Sequence, residues 1–209
     1  MRRTVTRVTG ELHGNAASEA ILRAAFNRIA PIPDSQWEPF WARSAKQTVA
    51  KHKHWLRAGE PAQYIGFCTS GLFRMYYTTP SGEEYNKSFC AAADFVASYS
   101  SLLLDAPAFF SIQALADSQL AVFRYSDFRA LYDKHPCWER IGRTLVEQLY
   151  IKKETREREL LILSAEARYR QFLDQFGSTA AAIPQYHIAS YLGITPVALS
   201  RIRRRINLG

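Results

Sequence analysis

Several groups of residues in this chain are of types that do chemistry when correctly spaced. Lys51-His52-Lys53-His54, followed by Glu60, has the H-x-H…E order of a divalent-metal site. Alternate residues of a strand share one face, and imidazole and carboxylate are metal ligands. Lysines flank both histidines, however, and no second histidine motif follows, so an exposed polar strand is the plainer reading. Glu83-Glu84 pairs two carboxylates but follows the turn signal Pro80-Ser81-Gly82, which makes it hairpin surface rather than an acid/base pair. Cys68, Cys90 and Cys137 are widely spaced, odd in number and form no C-x-x-C, so buried, inert thiols are expected. There is no G-x-S-x-G, P-loop or G-x-G-x-x-G. No catalytic residues, no metal and no enzyme are expected.

The remaining group is residues 184–206, PQYHIASYLGITPVALSRIRRRI. Pro184 suits the first position of a helix, and Ile188, small Ala189 and Leu192 give it one apolar side. Gly193 supplies the left-handed conformation that ends a helix. Thr195 can cap the next helix, with Pro196 at its first position and Ile194 stapling onto Leu199. Two helices joined by so short a turn cross steeply, as in a helix-turn-helix. Leu199 and Ile202 face inward. Thr195, Val197, Ala198, Ser200, Arg201, Arg204 and Arg205 are left outside as a DNA-binding face. Small side chains first and arginines later suit a helix entering the major groove, with Arg201 placed to read guanine and the later arginines to neutralise phosphates. From Pro184 to Gly209 there are four arginines and no acidic residue, within a chain of net charge +8. The cationic excess thus sits on the segment that reads as a DNA binder.

The elements that must position these residues fall into three textures. Residues 1–17 are unperiodic and expected to be a mobile tail. Ile21, Leu22, Ala25, Phe26 and Ile29 predict a helix, and Asp34 or Ser35 can cap a second carrying Trp37, Phe40 and Trp41. From about Lys46 to Tyr125, short segments rich in Val, Tyr, Phe and Thr alternate with Gly and Pro turns, as in an antiparallel sandwich or barrel. Helical spacing then returns. Trp138, Ile141, Leu145 and Leu149 form a stripe on one long helix over 136–163, expected to be a dimer seam. KKETRERE (152–159) reads as its solvated face. No apolar run approaches the roughly eighteen residues of a spanning helix, and no signal peptide is evident. A cytoplasmic protein without membrane contact is expected.

Gln185 to Arg201, with Ile188-Ala189, Leu192-Gly193-Ile194-Thr195 and Leu199-Ser200-Arg201, resembles the Crp/Fnr family of bacterial transcription regulators. The resemblance extends upstream to about Ser35 through Leu56–Glu60, Gly71–Arg74, Asp94-Phe95-Val96 with Ala93 in place of a glycine, and residues 124–136. It implies an α+β chain: an antiparallel, cyclic-nucleotide-binding-like β-roll (jelly roll) with N-terminal helices over 18–135, a dimerisation helix over 136–163, and a helix-turn-helix domain over 164–209. It also implies a homodimer on a pseudo-palindromic operator, with RNA polymerase a further candidate partner.

Three departures qualify this. Where cyclic-nucleotide binders have a Gly-Glu pair and an Arg, the chain has Ala97-Ser98 and Ala108 or Phe109. A buried phosphate needs those charged partners, so no cofactor and no cyclic nucleotide is expected. An apolar or aromatic effector, or none, is left for a pocket of Phe95, Ala97, Ser98, Tyr99, Phe109 and Phe110. Only Asn207-Leu208-Gly209 follow Ile206, so a DNA-binding domain without the family's wing is expected. Pro196 and Val197 replace the Arg and Glu typical of the recognition helix, so the operator is its own. The alternatives are a protein-interaction module with a vestigial helix-turn-helix and a cupin-like metal enzyme.

Overall fold

The computed structural model describes residues 16–207, and residues 1–15 of the expected tail lie outside them. The chain divides into two compact units. The first holds the described residues up to Met75 together with Phe89–Val146. It begins with helices α1 (Ala16–Asn27) and α2 (Asp34–Trp41). No side chain caps α2: Asp34 and Ser35, either of which was expected to, lie inside it, and Asp34 pairs with the Arg23 guanidinium.

Eight strands follow: β1 (Ala45–Val49), β2 (His54–Leu56), β3 (Tyr64–Ser70), β4 (Leu72–Thr78), β5 (Glu84–Ala91), β6 (Phe95–Val96), β7 (Ser111–Ala114) and β8 (Ser118–Arg124). They form two four-stranded sheets, ordered β1-β8-β3-β6 and β2-β7-β4-β5. Short helices α3 (Tyr99–Leu104) and α4 (Tyr125–Ala130) flank β7 and β8.

The two-residue period of the strands divides the first unit into two cores. Along β8, Leu120 and Val122 point into the roll beside Phe73, Val96, Phe110 and Ile112. Ala121 and Phe123 point the other way, into an aromatic cluster with Phe26, Trp37, Phe40, Phe128 and Trp138. Rings there meet at 5.0–6.4 Å, tilted as for Phe40–Trp138, edge-on as for Phe26–Trp37 or stacked as for Phe26–Phe128. The N-terminal helices are therefore structural parts of the roll domain: they cover the outer face of its first sheet.

Two turns fix how the strands enter. Gly71 has φ +103°, and a Cβ there would lie 2.2 Å from Ser118 Oγ, so only a hydrogen fits. Ala93 stands at φ +71° without being glycine. The turn holds it there by hydrogen bonds from Ala93 N–H to Cys68 O (2.8 Å) and from Ala91 N–H to the Asp94 carboxylate (2.9 Å).

Helix α5 (Pro136–Ile162) corrects the expected seam. Trp138 and Ile141 are fully buried in the first unit's own aromatic core, and Leu145 packs against its edge. The stripe read as intermolecular thus begins as intramolecular packing, because the helix must first close its own domain. The exposed apolar residues of α5 are instead Val146, Tyr150, Ile151, Leu160, Leu161 and Ile162. Leu149 is half-buried. The helix also runs through the division between the units, which falls at Val146/Glu147 rather than at its start.

The second unit holds Tyr76–Ser88, the outer ends of β4 and β5, and the chain from Glu147 onward. After α5 come α6 (Ala165–Phe176), a 3₁₀ segment (Gly177–Ala182), α7 (Gln185–Leu192) and α8 (Pro196–Asn207). Ser164 caps α6, accepting the Ala167 N–H at 3.2 Å.

Candidate nucleic-acid interface

The helix pair α7–α8 is built as its residues dictate. Pro184 sits one position before α7 rather than within it. Gly193 ends α7 at φ +68°, ψ +35°. Its N–H bonds Ser190 O (3.2 Å) and the Ile194 N–H bonds Ala189 O (3.0 Å), the paired pattern that satisfies terminal carbonyls. Thr195 Oγ1 accepts the Ala198 N–H at 3.2 Å and so caps α8, with Pro196 as the first helical residue. Ala189, Leu192 and Leu199 are fully buried, and Ile188 and Ile202 nearly so. Ala189 has no side chain beyond Cβ, which lets the two helices cross closely.

Two aromatic rings, Phe172 and Phe176, and two arginines hold α7 from its other sides. Phe172 of α6 packs on Phe176 (4.8 Å) and Tyr191 (5.7 Å). The Arg156 guanidinium lies over the Tyr191 ring at 3.8 Å and donates to Tyr191 O. Burial pushes the Tyr191 phenol above its ordinary pKa. Arg168 donates to Leu192 O (3.1 Å) and Leu163 O (2.6 Å), placing one cation at the C-terminal ends of α7 and α5. These arginines escaped the sequence reading. Residues 152–159 were expected to be a solvated face, yet the Arg156 and Glu159 side chains are only 16% exposed and pair at 3.5 Å. The available signal was the three-residue spacing of that pair.

The outward face of α8 carries the predicted residues. Thr195, Val197, Ser200, Arg201, Arg204 and Arg205 are exposed, and Ala198 is half-buried. Val197, Arg201 and Arg204 recur at spacings of four and three, so they line one side of the helix. Arg205 is partly engaged, with Nη2 3.5 Å from Glu166, a carboxylate that also binds Arg170 at 3.1 Å. Such an exposed pair is worth at most about 1 kcal/mol, so a phosphate competes with it readily. Among the described residues, Arg201 and Arg204 have no ion-pair partner. Two unneutralised guanidiniums beside small side chains on a capped helix make an anion-seeking surface that can approach closely.

The residues expected to form an effector pocket do not come together. Phe95 turns out of the roll and stacks on Phe26 at 5.5 Å, and Ala97 and Tyr99 follow it against the same core. Phe110 lies inside the roll, Phe109 is 65% exposed, and Ser98 is fully buried. Neighbours in sequence part here: Phe95 and Val96 of the two-residue strand β6 join different cores, and Phe109 and Phe110 sit in a bend that exposes one and buries the other. The first unit does carry a cleft of about 260 Å³ outside the roll, between α2 and α4, with Phe40 and Phe128 among its lining and Arg43 and Lys134 at its rim.

The other chemically suggestive groups are structural. His52 lies in a turn at φ +66°, not in the strand that holds His54, so the alternation needed for a metal-binding pair is broken. Glu60 accepts the Arg57 N–H at 2.9 Å within its own turn. Glu83 closes the β4–β5 turn, its carbonyl accepting the Thr79 N–H at 2.9 Å. All three cysteines are buried; burial and the Asp94 charge push the Cys68 thiol up to about 12. No described helix is long and apolar enough to cross a membrane.

Residues 46–135 match the cyclic nucleotide-binding domain family. No curated protein matches the chain in sequence. Among solved structures it is similar to FixK2 from Bradyrhizobium japonicum, at 17% identity and TM-score 0.71 over 79% of this chain and 85% of that one. It is also similar to the c-di-GMP-responsive global regulator CLP of Xanthomonas campestris, at 16% identity and TM-score 0.65 over 84% and 92%. A Crp/Fnr-family regulator of Eubacterium rectale aligns at 16% identity and TM-score 0.65 over 85% and 84%. The chain thus has the fold of Crp/Fnr regulators, with a cyclic-nucleotide-binding-type domain over residues 46–135.

Proposed function

We propose that this chain, folded as Crp/Fnr regulators are, is a DNA-binding transcription regulator that acts as a homodimer on a pseudo-palindromic operator. The observation that carries the reading is the exposed, acid-free stripe of Val197, Ser200, Arg201 and Arg204 on α8. Thr195 caps that helix, and α7, on which it packs, has its last carbonyls held by Arg156 and Arg168. Val197 and Ser200 approach base edges and thymine methyls, Arg201 donates to guanine, and Arg204 and Arg205 neutralise phosphates. Nothing in this arrangement performs catalysis, and a cytoplasmic location fits a protein that works on DNA.

Affinity is then largely electrostatic. If each subunit neutralises about four phosphates, the dimer's log–log salt slope approaches roughly −7. Arg204→Ala should weaken all duplexes alike and make that slope shallower by about one unit per subunit. Fluorescence anisotropy on labelled duplexes across a salt series reads both. A slope near zero would turn the account to the alternative, a helix pair that binds protein.

The effector domain lacks a phosphate partner at the positions noted above: Ala97, Ser98, Ala108 and Phe109 offer neither carboxylate nor guanidinium. We therefore hold that neither cyclic AMP nor cyclic GMP binds in the roll. A melting-temperature rise of several degrees with either nucleotide at millimolar concentration would contradict this.

A further inference from the structure

The first helix of the pair is gripped from one more side. Tyr76–Ser88 groups with the second unit rather than with the roll from which β4 and β5 issue. Ser190, on α7, accepts the Asn86 N–H through Oγ at 2.9 Å, and the same hydroxyl donates to Glu84 O at 3.1 Å. Residues 84 and 86 are two apart, so both groups lie on one edge of β5, and β5 is the end strand of its sheet. One hydroxyl therefore does for two backbone groups what a neighbouring strand would do, and it covers part of an exposed edge. Next to it, the Asn86 amide nitrogen lies 3.2 Å from His187 Nδ1, and both side chains are about 5% exposed. Asn86 Oδ1 is buried without a partner among the described residues. A buried polar contact that leaves one acceptor unsatisfied adds little to stability. What it does impose is a single docking geometry, since a small shift would orphan further groups.

We infer that the tip of the β4–β5 hairpin is a clasp on α7, with Ser190 as its positioning residue, and that this clasp fixes how the DNA-reading helix is presented. The inference rests on the DNA-binding reading above. The clasp does not cover the reader, because Val197, Ser200, Arg201 and Arg204 remain exposed. It acts through orientation. Ser190 ties α7 to the paired tip of β4 and β5, and not only to the loops that precede it. A dimer reading two half-sites a fixed distance apart depends on that orientation, whereas one subunit reading one half-site does not.

The experiment uses the full chain, its Ser190→Ala variant and the Ser190→Thr variant that keeps the hydroxyl. Hydrogen exchange over residues 84–88 should be about tenfold faster in Ser190→Ala and restored in Ser190→Thr. On operators with the natural and a one-base-pair-longer spacer, the wild type should lose more than tenfold in affinity with the longer spacer. Ser190→Ala should lose less than threefold while binding a single half-site as the wild type does. Unchanged exchange would show that no clasp exists in solution. Faster exchange with undiminished spacer discrimination would show a clasp without the positioning role. Both results overturn the inference. If the wild type binds no duplex at all, the regulator reading itself falls and takes the positioning role with it, while exchange still reports whether the hairpin grips α7.

Discussion

At the scale of single residues, Ala93 shows how a departure from a pattern is absorbed. Its left-handed backbone, at φ +71°, is one that side chains adopt at a cost of about 1–2 kcal/mol. The hydrogen bonds to Cys68 O and the Asp94 carboxylate hold the turn in place regardless. Ala93→Gly should relieve that strain, less the extra chain entropy that glycine loses on folding. The net gain is about 0.5–1 kcal/mol, measured as a higher denaturation midpoint with an unchanged slope. The turn and cap of the α7–α8 pair were legible for a related reason. Gly193, Thr195 and Pro196 each have a conformational role that does not depend on anything distant in the chain. Arg156 and Arg168 were not legible, because their partners are a ring and carbonyls many residues away. A charge run looks the same in sequence whether it faces water or a neighbouring helix.

At the scale of elements, α5 teaches the most. An apolar stripe says that something is buried and does not say by what. Trp138 and Ile141 are consumed by the first unit's aromatic core, so the surface that a second subunit would cover lies further along, around Val146 and Tyr150. Tyr150 is 64% exposed, and a charge there costs the isolated subunit little. Tyr150→Asp should therefore yield a folded monomer by sedimentation, with operator affinity reduced at least tenfold. A variant that stays dimeric would remove α5 as the seam. Leu145→Asp would be a poor test, since Leu145 also packs against the core. The β-strands carried a similar ambiguity. Their number and turns could be read in advance, but the face each residue takes follows from register. Phe95 leaves the roll for that reason, whereas Phe109 and Phe110 part in a bend.

At the scale of the molecule, architecture and candidate interface were both readable: strand texture, then a long helix, then a capped helix pair with the excess of positive charge. The division into units was not, because the end of a hairpin in residues 76–88 groups with the chain from Glu147 onward and bonds α7 across a separation of 104 residues. Ser190 and Asn86 carry no local signal of that pairing. The account's central claim is that α8 reads sequence in duplex DNA through Arg201. Selection of bound duplexes from a random pool, by the wild type and by Arg201→Ala, tests it most directly. The account predicts that the wild type recovers an inverted repeat. The variant should bind that repeat about 1–3 kcal/mol more weakly per half-site and accept any base at one position of each half. Recovery of unenriched DNA by the wild type, or of the same repeat with equal stringency by the variant, would contradict it.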